Sequence, residues 1–232
     1  MSSWRVGREP AWRSDGSASS VAELIDADLR ALTDRSVAQL RKVRRRWTSL
    51  VRNEPAELVF AAALQLFDRF EHRWIAYELL LFHLQAFGLV DASTIERFAG
   101  ELRSWGDADQ FGILVAGPAW RSNQVDDGVI FGWAQRNDRW WRRVALVATV
   151  PLNSRSQGGR GDARRTLAVC ERLASDRDDM VVKALSWALR ELIVHDRSAV
   201  ERFVLEHDEV LAARVKREVR NKLTSGLKHP PR

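Results

Sequence analysis

Residues 179–194 read DMVVKALSWALRELIV, with Val181, Val182, Leu185, Leu189, Leu192 and Ile193 recurring at steps of three and four. That spacing puts all six on one face of an α-helix. Trp187 falls on the other side, in line with Lys183 and Arg190. The same period returns at Val37, Leu40, Val43, Trp47 and Leu50, and again in Leu58–Phe67, Trp74–Leu84 and Ile95–Leu102. No hairpin dipeptide stands between two alternating apolar runs. Helix starts are marked at Pro55, at Asp107 with Gln110 three residues on, and at Asp138. The expectation is an all-α chain of stacked antiparallel helix pairs, a HEAT-like α-solenoid with a concave basic face.

The chain has 232 residues, 45% hydrophobic and 29% charged, enough for one extended core. A single domain is expected over 21–226. Residues 1–20 are rich in Ser, Gly and Arg without apolar period and are expected to form a flexible arm. A tail at 227–232 is expected to fray. The lone cysteine, Cys170, excludes a disulfide framework, and the five histidines show no metal-ligand spacing. The longest uncharged apolar stretch, Leu79 to Val90, is too short to cross a bilayer, and the N-terminus lacks the apolar core of a signal peptide. A cytoplasmic protein is expected. Residues 153–164, NSRSQGGRGDAR, have no preceding strand and no following Lys-Ser/Thr, so they read as a soft inter-repeat loop rather than a phosphate loop.

The formal net charge is +6, unevenly placed. Arg35 to Arg52 holds seven basic residues and no acid, and Arg41, Arg45 and Arg52 share the face opposite the apolar stripe. Arg139 to Arg165 holds seven arginines against Asp162; Arg214 to the end holds seven basic residues against Glu218. One such run would be a solvated helix face. Three runs, aligned along a solenoid, suit contacts to the phosphates of a duplex.

Ten tryptophans are many for this length, and Trp47 and Trp74 lie on apolar stripes as packing residues. Trp187, between Lys183 and Arg190, needs a partner: the next repeat, a cation–π contact with Arg190, or a nucleotide or sugar. Trp105 continues the Ile95/Phe98/Leu102 stripe, which predicts core packing. Asp107 reads as a helix N-cap, which puts Asp109 in a first turn, where the helix dipole favours an anion. Arg143 falls beside Trp140, Val147 and Val150, where an unpaired guanidinium is costly. Its partner is either a carboxylate of the adjacent repeat or a DNA phosphate.

Three ordered stretches, SWGDAD (104–109), WWRRVAL (140–146) and KALSWALRE (183–191), resemble the AlkD-like family of HEAT-repeat DNA glycosylases, over roughly residues 25–225. The resemblance implies removal of N3- or N7-alkylated purines from double-stranded DNA without deep base flipping, by a monomer needing no metal or other cofactor. It implies catalytic roles for Asp109, Trp105 and Trp187, which would flank the damaged nucleotide's sugar. It further implies backbone contact by Arg143. Arg190, Lys183, Arg41, Arg45 and Trp140 are the other expected DNA contacts. An alkylated purine is already cationic, so its glycosidic bond is weak. A fixed carboxylate then has only to stabilise the sugar cation and guide water. The rival expectations are a self-resistance glycosylase for bulky adducts, a non-catalytic DNA-binding relative, and a protein-binding scaffold.

Overall fold

The computed structural model describes residues 17–230, all helical or irregular, with no strand among the described residues. The chain divides into two compact units, the first ending at Leu89 and the second starting at Val90.

The first unit holds α1 (Ala18–Arg30), α2 (Val37–Leu50), α3 (Ala56–Asp68), α4 (Arg73–Leu81) and the short α5 (Leu84–Phe87). The fold starts earlier than the composition suggests. Ser17 caps α1 by accepting a hydrogen bond from the Ser20 N–H (3.1 Å), and Val21 and Ala22 are wholly buried. Residues 17–20 therefore belong to a helix and not to the arm; residues 1–16 of that arm lie outside the described residues. On α2 only Trp47 of the expected stripe is buried, its indole N–H donating to Asp28 (2.7 Å), whereas Val37 is 58% exposed.

The second unit holds α6 (Ile95–Ala99), α7 (Trp105–Phe111), α8 (Gly117–Arg121), α9 (Asp127–Ala134) and α10 (Arg139–Val147). It continues with α11 (Val150–Asn153), α12 (Ala163–Arg172), α13 (Asp179–Leu192), α14 (Arg197–Glu206) and α15 (Ala213–Ser225). A π-helical stretch, Gly112–Ala116, joins α7 to α8 without a break. Within this unit α7, α10, α13 and α15 pack side by side in that order, while α9 packs on both α10 and α12. Helices thus join alternate rows, the arrangement a helical repeat needs to bury each apolar stripe.

The row is tight where the π-helical stretch and the start of α8 meet the end of α10. A Cβ on Gly112 would stand 2.7 Å from Val147 Cγ1, and one on Gly117 would stand 2.6 Å from the Ala148 carbonyl oxygen. Only glycine permits this approach, and it brings the face of α7 within side-chain reach of α10. The buried indoles of this unit are satisfied: Trp120 donates to Asp127 (2.9 Å) and Trp133 to Glu96 (2.7 Å).

The 153–164 segment is built, not soft. Arg121 Nη1 donates to the Pro151 and Gln157 carbonyls (2.7 and 2.6 Å), and His195 Nε2 lies 2.6 Å from the Asn153 carbonyl oxygen. Asn153 Nδ2 donates to Thr166 Oγ1 (2.9 Å), and the Asp162 N–H returns a bond to Asn153 Oδ1 (3.0 Å). The described part of the tail is tied back in the same manner, with Asn221 Nδ2 donating to the Lys228 carbonyl (3.0 Å). Among the described residues no helix is long and apolar enough to cross a membrane.

Candidate functional site

The row α7–α10–α13–α15 carries a cleft of about 380 Å³ lined by Trp105, Asp109, Arg143, Met180, Lys183, Trp187, Arg190 and Lys228. Its first wall is set by the start of α7. Ser104, not Asp107, is the N-cap: its Oγ accepts from the Asp107 N–H (3.2 Å). Asp107 Oδ2 in turn accepts from the Arg103 N–H (3.0 Å) and from Ser104 Oγ–H (2.9 Å), a close relative of the capping box. Trp105 is then the first helical residue and Asp109 the fifth, which moves Asp109 into the second turn. The expected first-turn setting is corrected, because the helix-terminus field fades within one turn.

What holds Asp109 is Arg143. Its Nε and Nη2 donate to Asp109 Oδ1 and Oδ2, both at 2.8 Å, in a two-pronged fork. Arg143 Nη1 donates to the Met180 carbonyl on α13. The guanidinium, only 6% exposed, thus bridges α7 and α13 from its place on α10 between them. Of the two partners the sequence allowed, the carboxylate of a neighbouring helix is the one found, and it is the candidate catalytic acid itself. Arg143 also lines the cleft, and its bonds to Asp109 and to the Met180 carbonyl use three of its five N–H donors.

Trp105 is one helical turn from Asp109 on the same face of α7. At 59% exposure it is the most open tryptophan among the described residues, which overturns the expectation of core packing. Its stripe breaks because α6 ends at Ala99 and the chain turns at Gly100 before α7 begins. Across the cleft Trp187 is half-buried, its indole N–H donating to Glu191 Oε1 one turn on (3.1 Å). The bond restrains the indole of a residue that lines the cleft.

The cationic rim is less uniform than the sequence suggests. Lys183 pairs with Asp179 on its own helix (2.7 Å). Arg190 donates through Nε to Ser186 Oγ (3.2 Å), and burial lowers its pKa from the usual guanidinium value. Trp140 lies outside the cleft, with the Arg139 guanidinium 4.6 Å from its ring centroid. Arg41 and Arg45 are exposed on α2 of the first unit. Among the described residues no group of three or more His, Cys, Asp or Glu is arranged to hold a metal ion.

Sequence reasoning missed Ser186, Glu218 and Lys228. Two weak signals were present: Ser186 interrupts an apolar helix one turn before Arg190, and Glu218 is the one acid in a run of seven bases.

Searches of curated proteins and of solved structures return no significant match. A family model described as "DNA alkylation repair enzyme" matches residues 30–223, most of the chain and every stretch that lines the cleft except Lys228. The chain belongs to the DNA alkylation repair enzyme family.

Proposed function

We propose that the protein is a DNA glycosylase that hydrolyses the N-glycosidic bond of N3- or N7-alkylated purines in duplex DNA. The observation that carries this reading is the meeting of Asp109, Trp105 and Trp187 in one open cleft, with the carboxylate clamped by Arg143. Alkylation at N3 or N7 makes the purine a cation, so the C1′–N9 electron pair leaves with the base without prior protonation. The sugar left behind is oxocarbenium-like. Asp109 would lie against that charge, and its orientation is preset, so little reorganisation is needed as charge develops. The faces of Trp105 and Trp187 would add cation–π attraction. Water then attacks C1′, and its proton passes to Asp109 or to solvent.

The cleft is open rather than enclosed, which supports attack on a nucleotide that stays near the stack. The exposure of Trp105 also leaves room for adducts larger than methyl, which keeps the bulky-adduct reading within the same chemistry. The experiment is release of 3-methyladenine and 7-methylguanine from methylated duplex DNA by the purified protein, followed by chromatography. Release of either base is the expected result. Duplex binding with no release from methyl or bulky adducts would replace the glycosylase by a non-catalytic DNA-binding protein.

A further inference from the structure

One wall of the cleft carries an ionic group that the hydrolysis does not use. Arg190 Nε donates to Ser186 Oγ, and Ser186 donates in turn to Glu218 Oε2 on α15 (2.7 Å). Glu218 is 3% exposed, and Lys228 Nζ stands 3.5 Å from the same oxygen. Lys228 reaches this point because α15 ends at Gly226, whose φ of 73° turns the chain back on itself. The Asn221 amide then holds the Lys228 backbone carbonyl.

Two cations therefore share one carboxylate, and neither is fully engaged by it. Arg190 meets Glu218 only through a hydroxyl, so its Nη groups remain as donors on a side chain that lines the cleft. Lys228 directs one N–H at Glu218 and has two more. The buried carboxylate is too deep to meet a ligand itself, but it fixes both cations from behind. Burial pushes its pKa up, yet the Ser186 hydrogen bond, Lys228 and Arg190 together bring it below the usual glutamate value.

We infer that the C-terminal segment completes the site: Lys228, seated on the buried Glu218, joins Arg190 to bind one backbone phosphodiester of duplex DNA beside the nucleotide in the cleft. Only the identity of that neighbouring nucleotide rests on the proposed glycosylase reading; the subsite itself rests on the ionic group. Glu218 is a positioning residue here, and Lys228 and Arg190 are the groups that touch phosphate.

The test uses the full chain and an unmodified duplex oligonucleotide, with affinity measured by fluorescence anisotropy across a salt series. Losing one phosphate contact lowers the slope of log K against log salt by about 0.9. Lys228→Gln should show that drop and Lys228→Arg should restore the slope. Glu218→Gln should lower the slope too, with no further drop in the Lys228→Gln/Glu218→Gln double variant. Lys228 is half-exposed, so Lys228→Gln tests the idea even if Glu218→Gln folds poorly. A wild-type slope for Lys228→Gln overturns the subsite. If the wild-type protein still releases methylated bases in that case, the glycosylase reading stands. A reduced slope alongside absent base release has the opposite meaning: the subsite holds and the reaction is wrong.

Discussion

Arg165, beside the 153–164 segment, and Arg190, on the cleft wall, are both half-buried arginines on helices of the same unit. Arg165 is enclosed by partners. Its Nε donates to Asp127 (2.7 Å), Nη1 to the Trp120 carbonyl (3.2 Å) and Nη2 to Asn123 Oδ1 (2.6 Å). Arg190 donates to one serine hydroxyl. The contrast extends to their surroundings. In the Arg139–Arg165 run, Arg139, Arg142, Arg143, Arg164 and Arg165 all pair with carboxylates, so most of that charge holds helices together. Around the cleft, two cations lean on one buried acid and keep donors to offer. Charge counted along a sequence is therefore not charge available to a ligand; the difference is set by which carboxylates the fold brings alongside.

The largest expected effect comes from breaking the pair on which both regions meet. Arg143→Met leaves Asp109 without its fork and α13 without a bridge. Because Asp109 still reaches solvent, we expect a loss near the low end for a broken buried ion pair, about 3 kcal/mol, seen as a lower Tm. Base release should fall with it, because the carboxylate loses its fixed direction. Next comes Gly117→Val, which forces Cβ into the Ala148 carbonyl and Pro151. It should cost roughly 1–3 kcal/mol, read by chemical denaturation.

Arg165→Gln against Arg190→Gln sharpens the contrast itself. The first should lower stability by about 1–2 kcal/mol with the salt dependence of DNA binding unchanged. The second should leave stability nearly intact and reduce the slope by about 0.9. If Arg165→Gln moves the slope as much as Arg190→Gln, the two regions do not differ as described.

The smallest effect concerns acid. Burial raises the Asp127 pKa, but hydrogen bonds from Trp120, Arg165 and Arg164 outweigh it and hold the pKa below its ordinary 3.8. A carboxyl lowered on folding stabilises the protein above its unfolded value, and that contribution disappears as pH falls through the lower folded value. Asp127→Asn should accordingly flatten the fall of Tm below about pH 4 while lowering Tm at neutral pH.

Much of this was legible from spacing. The helical period located α13, and the side of Trp187 opposite its stripe is the side that lines the cleft. Asp138 caps α10 as expected, its carboxylate accepting from the Trp140 N–H (2.7 Å). Three features were not legible, each for a physical reason. Ser104 and Asp107 both suit an N-cap, and only the backbone at residue 104, extended before the first turn, decides between them. The Arg143–Asp109 fork joins residues 34 apart, and its reach depends on glycine contacts between helices rather than on either local sequence. The order of the 153–164 segment comes from Arg121 and His195, which lie outside the segment whose composition suggested softness.

The most direct measurement is the single-turnover rate of base release from methylated duplex DNA by Asp109→Asn, with protein in excess and duplex affinity measured in parallel. The expected rate is at least roughly a hundredfold below wild type at near-equal affinity, since the amide keeps the shape of the carboxylate but not its charge. A variant that releases base as fast as the wild type would contradict it.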